Sequence, residues 1–318
     1  MSEPTALRFG YGTNGMHSHR LEDALGVLDD LGYDGVALTL DHLHLDPFAA
    51  ELPARVGDVR RRLDSLGLAV VVETGARYLL DPLRKHHPTL LHDPAAARRR
   101  VDYLHRAVEV AADLGAEAVS FWSGALPSGV DAGTAWDRLA DGVGQVLDLA
   151  ERREVVCALE PEPGHFVDTL DGVLELRERL GDPSLLRVTL DLGHVVCNEP
   201  RPMTETIRRA GHLLANVQVD DMVAGVHEHL ELGTGEVDFI AALAALREVG
   251  YTGLASLELP RQSHAAPQVA RDSLAFLRAA ETPPVAVPPA TTPATTPATT
   301  PATAAERPRR AAGEVIVR

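Results

Sequence analysis

The chain has 318 residues, a formal net charge of −16, 45% hydrophobic residues and only 4% aromatic ones, enough for one large domain with an aliphatic core. Residues 281–318 carry four arginines against three glutamates, so the body is −17, a charge that repels a phosphate backbone and argues against a nucleic-acid partner. No run approaches the ~20 apolar residues that span a bilayer, and Met-Ser-Glu-Pro-Thr has neither part of a signal peptide, so no membrane partner is expected.

Strands are predicted, in chain order, at 8–13, 35–41, 68–74, 118–122, 155–160, 186–191, 215–220 and 254–259. Amphipathic helices are predicted between them, including 20–31, 94–114 and 239–249, the last stopped by Gly-Tyr-Thr-Gly. "VVCALE" and "LRVTLD" are continuous apolar runs, the pattern of strands covered by helices in a parallel sheet. Eight such units predict a single (β/α)₈ TIM barrel over residues 1–280. An open doubly wound sheet is the alternative. It loses support because "GYGTNGMHSH" contains no GxGxxG and no GxxxxGK[ST] occurs anywhere. From 281 to 318 the Pro/Thr/Ala repeats have no apolar period and are predicted to form a disordered tail. Cys157 and Cys197 are read as reduced thiols of a cytoplasmic protein.

The C-terminal strand ends of such a barrel form its active face. Glu73, Glu160, Asp191, Asp220 and Glu258 fall there, and twelve of the fourteen histidines follow strands. Carboxylates converging from several strands repel one another unless a cation sits among them, and an oxygen-rich set with one or two nitrogens suits Mn²⁺, Mg²⁺, Co²⁺ or Zn²⁺. Their other meaning is helix capping, and for Asp220 and Asp221 both meanings stay open. Glu73 is expected to make a polar contact, with Arg77 four residues on as its partner. Trp122 closes strand four, either as an open stacking surface or as a packed aromatic at the mouth. His42 either closes over a substrate or simply follows strand two, and Arg261 follows strand eight. His44 and His92 are read as structural, and His105 and His212 fall on helices without a role.

"LEPEPG", "VTLDLGHV", "NVQVDD…HEHLELGTGEVDF" and "LREVGYTGLASLEL" together resemble the xylose-isomerase-like barrel superfamily. It includes the sugar-phosphate isomerase/epimerase group, ketose 3-epimerases, inosose isomerases and dehydratases, and endonuclease IV. The resemblance covers about residues 7–280. It implies one divalent metal on Glu160, Asp191, position 218 and Glu258, where Gln218 stands in place of the family's histidine. It also implies that Glu160 and Glu258 move a proton through a cis-enediolate, while His194, Glu162 and His229 hold hydroxyls. The endonuclease IV branch implies a second metal on His194, His227 and His229. The expected activity is thus a metal-dependent isomerase or epimerase of a small sugar, inosose or related cyclic polyol. A non-catalytic metabolite-binding barrel is the alternative, with an inosose-type dehydratase or an endonuclease IV-like phosphodiesterase behind it. The outer helices show no seam that would decide for or against a homo-oligomer.

Overall fold

The protein is described by a computed structural model covering residues 6–281. Eight parallel strands close into a barrel: β1 (Arg8–Gly12), β2 (Gly35–Thr39), β3 (Ala69–Glu73), β4 (Val119–Trp122), β5 (Cys157–Glu160), β6 (Leu186–Asp191), β7 (Leu214–Val219) and, after an added hairpin, β10 (Leu254–Leu257). The hairpin pairs β8 (Asp221–Val223) with β9 (Val226–Leu230) antiparallel. The helices are α1 (Leu21–Leu31), α2 (Leu52–Leu66), α3 (Pro94–Leu114), α4 (Ala132–Arg153), α5 (Leu170–Arg179), α6 (Leu192–Asn198), α7 (Met203–Ala210), α8 (Phe239–Glu248) and α9 (Ala266–Glu281). The predicted barrel and all eight of its strands are present. Sequence-read ends shift by at most two residues, so Asp41 and Leu259 lie beyond their strands.

Local chemistry sets the helix ends. Asp93 caps α3 by accepting from the amides of Ala95 and Ala96, Pro94 starts it, and Gly115 ends it in the left-handed region. Asp131 and Asp238 cap α4 and α8 in the same way. The main core lies between strands and helices, with Phe9, Leu38, Val72, Phe121, Leu159 and Val217 buried in it. A separate small cluster of Val71, Ala118, Ala158 and Leu254 fills one end of the barrel interior. Nearer the active face the interior becomes polar: the Thr189 hydroxyl donates to that of Ser120 at 2.9 Å, and Asn216 Nδ2 donates to Glu73 at 3.0 Å. A barrel filled in this way is a plug with a polar mouth rather than a pore.

The last helix runs through Glu281, which the sequence reading had placed in the tail. The Glu281 carboxylate accepts from the Leu7 amide at 3.0 Å, fastening the last helix to the first strand. The rest of the predicted disordered tail lies outside the described residues. Among the described residues no helix is long and apolar enough to cross a membrane.

Candidate active site

Three strand ends line the floor of a cavity of about 480 Å³, and a fourth lies behind it. Glu160 ends β5, Asp191 ends β6, Gln218 lies one residue from the end of β7, and Glu258 follows β10. The register sets Asp191 directly beside Gln218, and the Glu258 amide donates to Val219 O at 3.0 Å. Glu160, Asp191 and Gln218 are buried, and Glu258 is half-buried. Asn14, from the turn after β1, donates through Nδ2 to Glu258 at 3.0 Å. One Asp191 oxygen caps α6 by accepting from the His194 amide at 2.8 Å; the other has no partner, and neither does Gln218 Oε1. Buried oxygens without donors are costly, and they fit a cation bound among them.

Burial, then the carboxylates of Glu162, Glu258, Glu73 and Asp191, holds Glu160 well above the usual carboxylate range. Burial also raises Glu258, and raises Glu162 to about 7 and Glu73 to about 8. Asp191 goes the other way: burial opposes its ionisation, but the His194 and His229 rings and the His194 amide outweigh it. One acid poised low among acids held high is the environment in which proton donors and acceptors are separated at neutral pH.

The imidazoles come mainly from the hairpin, which the sequence reading did not foresee. Asp221 pins it by accepting from the amides of Met222, Gly233, Gly235 and Val237 at 2.8–3.0 Å. Asp221 therefore braces the hairpin backbone and caps no helix. Asp220 is different: it is fully buried, its Oδ2 lies 2.5 Å from His229 Nδ1, and it faces Asp191. Its carboxylate packs so tightly on Gly193 that a Cβ there would collide with it, which explains the glycine inside Asp191-x-x-His194. His194 Nδ1 is 3.3 Å from Glu160, and its Nε2 is 3.1 Å from His227 Nε2. Glu162 stands 4.0 Å from His194 and 3.7 Å from His227. Three sets bring metal-binding atoms within 4.8 Å of one another: His194–His227–His229, Glu160–Asp191–His194 and Asp191–Asp220–His229.

The family model for xylose isomerase-like TIM barrels matches residues 25–280. The chain belongs to that family. L-ribulose-5-phosphate 3-epimerase UlaE of Salmonella paratyphi C is 24% identical over 241 residues, covering 74% of this chain and 81% of its own length. The Methanocaldococcus jannaschii protein MJ1311 is 27% identical over 190 residues, covering 54% of this chain; the chain spans 62% of MJ1311. Among solved structures, the 3-keto-D-glucoside 4-epimerase YcjR of E. coli superposes with a TM-score of 0.71 at 17% identity, over 86% of this chain and 99% of that one.

Within this xylose isomerase-like barrel most of the residues singled out in the sequence come together. Glu160, Glu162, Gln218, His227, His229, Glu258, Trp122, Glu73, His42 and Arg261 all line the cavity. His194 and Asp191 do not; they sit behind its wall, against Glu160 and Asp220. The expected Glu73–Arg77 pair does not form. Four-residue spacing brings side chains together only on a helix; here Arg77 lies in the extended loop after β3, and Glu73 points across the barrel to Asn216. His42 is exposed at the rim near Asp46, and Arg261 pairs with Glu228. His44 is buried, with a ring nitrogen 3.2 Å from the His19 carbonyl oxygen, a structural role as expected.

Trp122 belongs both to the cavity wall and to the packing at its mouth. It lines the cavity, but it is nearly buried: the rings of His86 and His165 each meet it edge-on at 4.9 Å, and the Arg100 guanidinium covers it at 4.7 Å. Burial, with nearby positive groups, lowers His86 and His165 to about 3, so both act as neutral rings. Sequence reasoning assigned no role to His165 or Arg100. Arg100 did carry a signal, because it falls on the buried stripe of α3 with Tyr103, Leu104 and Ala107. A larger groove of about 790 Å³ between α2 and α3 gathers no comparable set of acids and imidazoles.

Proposed function

We propose that this chain is a divalent-metal-dependent epimerase or isomerase of a small sugar or related polyol, inverting or shifting hydrogen at a carbon next to a carbonyl. One observation carries the reading: two raised carboxylates, Glu160 and Glu258, reach one cavity from strands separated by β6 and β7, with the unpartnered oxygens of Asp191 and Gln218 beside them. The names of UlaE and YcjR describe epimerases acting beside a carbonyl, which supports the same chemistry here.

Glu160, Asp191, Gln218 and Glu258 would hold Mn²⁺, Mg²⁺, Co²⁺ or Zn²⁺. The amide oxygen of Gln218 is a hard ligand and a weaker one than imidazole. The cation supplies positive charge that stabilises the oxygens of an enediolate. One carboxylate, Glu160 or Glu258, removes the proton from carbon, and the other returns one from the opposite face. Asn14 fixes the rotamer of Glu258. His227, His229 and Glu162 receive the sugar hydroxyls. His194 sets Glu160 from behind, a positioning role in place of the substrate contact expected from the sequence. The free thiols Cys157 and Cys197 support a reducing compartment, the cytoplasm.

Incubation with ketoses and inososes in deuterium oxide, with each of the four metals, tests the reading by mass spectrometry. Deuterium enters carbon in the wild type and not in Glu160→Gln. No exchange across the panel would favour the metabolite-binding alternative. A second metal on His194, His227 and His229 is supported by one spacing: nitrogens 3.1 Å apart are close to the roughly 3.3 Å edge of a tetrahedron with ~2.0 Å bonds. It requires two metal equivalents per chain, falling to one in His227→Ala. One equivalent in both removes it.

A further inference from the structure

We infer that Arg77 and Lys85, on the loop between β3 and α3, form a subsite for an anionic group, a phosphate or a carboxylate, at the end of the substrate remote from its carbonyl. The inference rests on reading the barrel mouth as a sugar site and names the class of sugar that it takes.

Lys85 is the only lysine in the chain, and it lines the catalytic cavity, as does Arg77. The loop folds back so that the two are neighbours: the His86 amide donates to the Arg77 carbonyl at 2.6 Å. The fold-back is held from below. Buried Arg100 donates to the carbonyls of His86 at 2.9 Å and Pro88 at 3.0 Å, and its face lies on Trp122. The two cations thus stand on a braced loop.

Their charges are uncompensated. Arg84, beside Lys85, is tied to Asp81, and Arg261, across the mouth, to Glu228. Among the described residues neither Arg77 nor Lys85 has a carboxylate within ion-pair distance, although the chain carries 46 acids against 30 basic residues. The cavity's own acids face other partners: Asp41 faces His17, Glu73 Asn216, Glu160 His194, Glu162 His227 and Glu258 Asn14. The charge of Lys85 reaches inward, acting on His86, Glu162, His165 and His227.

The cavity therefore has an axis, with acids on its floor and free positive charge on one side of its rim. An anionic group is drawn to the second, while the first is where the carboxylates would ring the cation and meet the carbonyl end. A polyol with one charged end consequently enters carbonyl first. Arg offers a fork of donors and Lys a compact point charge, which together suit a terminal oxyanion better than a hydroxyl.

Calorimetric titration of the full-length, Mn²⁺-loaded protein tests this, with ribulose, ribulose 5-phosphate, fructuronate and inorganic phosphate as probes. At least one charged sugar binds about tenfold or more tighter than ribulose, as expected for hydrogen bonds to a charged group. Preference for ribulose 5-phosphate identifies a phosphate subsite, and preference for fructuronate a carboxylate one. Lys85→Ala and Arg77→Ala each lower that preference about tenfold, Lys85→Arg restores most of it, and added salt weakens it. Both positions are exposed, so the variants fold. Equal affinity for charged and uncharged sugars, a preference that survives both alanines, or no binding of any charged probe overturns the subsite. Deuterium exchange on the same samples separates it from the proposed activity. Exchange without charge preference removes the subsite alone, whereas charge preference without exchange removes the epimerase reading and leaves the subsite standing.

Discussion

Glu73→Gln should make the metal-free protein more stable, and more so as pH rises. Glu73 is buried inside the barrel, accepts from Asn216, and has its carboxyl pushed from 4.5 to about 8 by burial and then by Glu258. Between those two values the unfolded chain gives up this proton while the folded chain keeps it. Fewer protons bound in the unfolded state means that stability falls as pH rises, by about 1.4 kcal/mol per pH unit. From 4.5 to pH 7 the loss is about 3 kcal/mol. A glutamine has the same shape, still accepts from Asn216 and has no proton to lose. It should recover that loss, raising Tm at pH 7 by roughly 6–12 °C. Calorimetric scans with chelator at several pH values between about 5 and 8 check this. The wild-type Tm should decline relative to the variant throughout. Parallel pH profiles for the two proteins would refute the reasoning, because they would mean that Glu73 ionises freely in the fold.

Metal binding should expel protons, since burial and neighbouring carboxylates raise both Glu160 and Glu258; heats that do not depend on the buffer's ionisation enthalpy would contradict it. At a hundredfold excess over Kd the metal should add about 2.7 kcal/mol, and Glu160→Gln should lose that gain. Asp221→Ala leaves four buried or half-buried amides unpaired and should cost about 3 kcal/mol, read as lost hydrogen-exchange protection across 221–237 before the barrel strands. Asn14→Ala should lower kcat more than it raises KM; a pure KM effect would show that Asn14 holds substrate instead of Glu258. Asp41 is held below 3.8: burial opposes ionisation, but the His17 ring and the His44 and Leu43 amides outweigh it. Its stabilisation is complete above 3.8 and lost as pH falls through the lowered value, so Asp41→Asn should flatten the acid limb of the Tm profile.

The barrel was legible because each strand is a short apolar run closed by a polar residue, and because glycines and aspartates punctuate the helices. Glu160, Asp191 and Glu258 were legible for the same reason: register places every strand end on one face. What escaped depends on contacts across the chain. Asn216 meets Glu73 over 143 positions, and no local pattern announces it. The hairpin after β7 is short, polar and rich in histidine, so it reads as loop; only the amides gathered by Asp221 make it a ribbon. Arg77 was assigned to the wrong partner because a helical spacing rule was applied outside a helix.

The hydrogen bond between Asn14 and Glu258 links residues 244 positions apart and joins the first barrel strand to the last. During synthesis Asn14 emerges early and waits for most of the chain before its partner exists. Helices and neighbouring strand pairs can settle meanwhile, but the proposed proton-handling group is delivered by the final closure of the ring. On the proposed reading, catalytic competence is a signal of completed folding. Nascent chains lacking β10 would carry the hairpin histidines, the rim cations, Glu160 and Asp191, yet not the pair of carboxylates assigned to proton transfer.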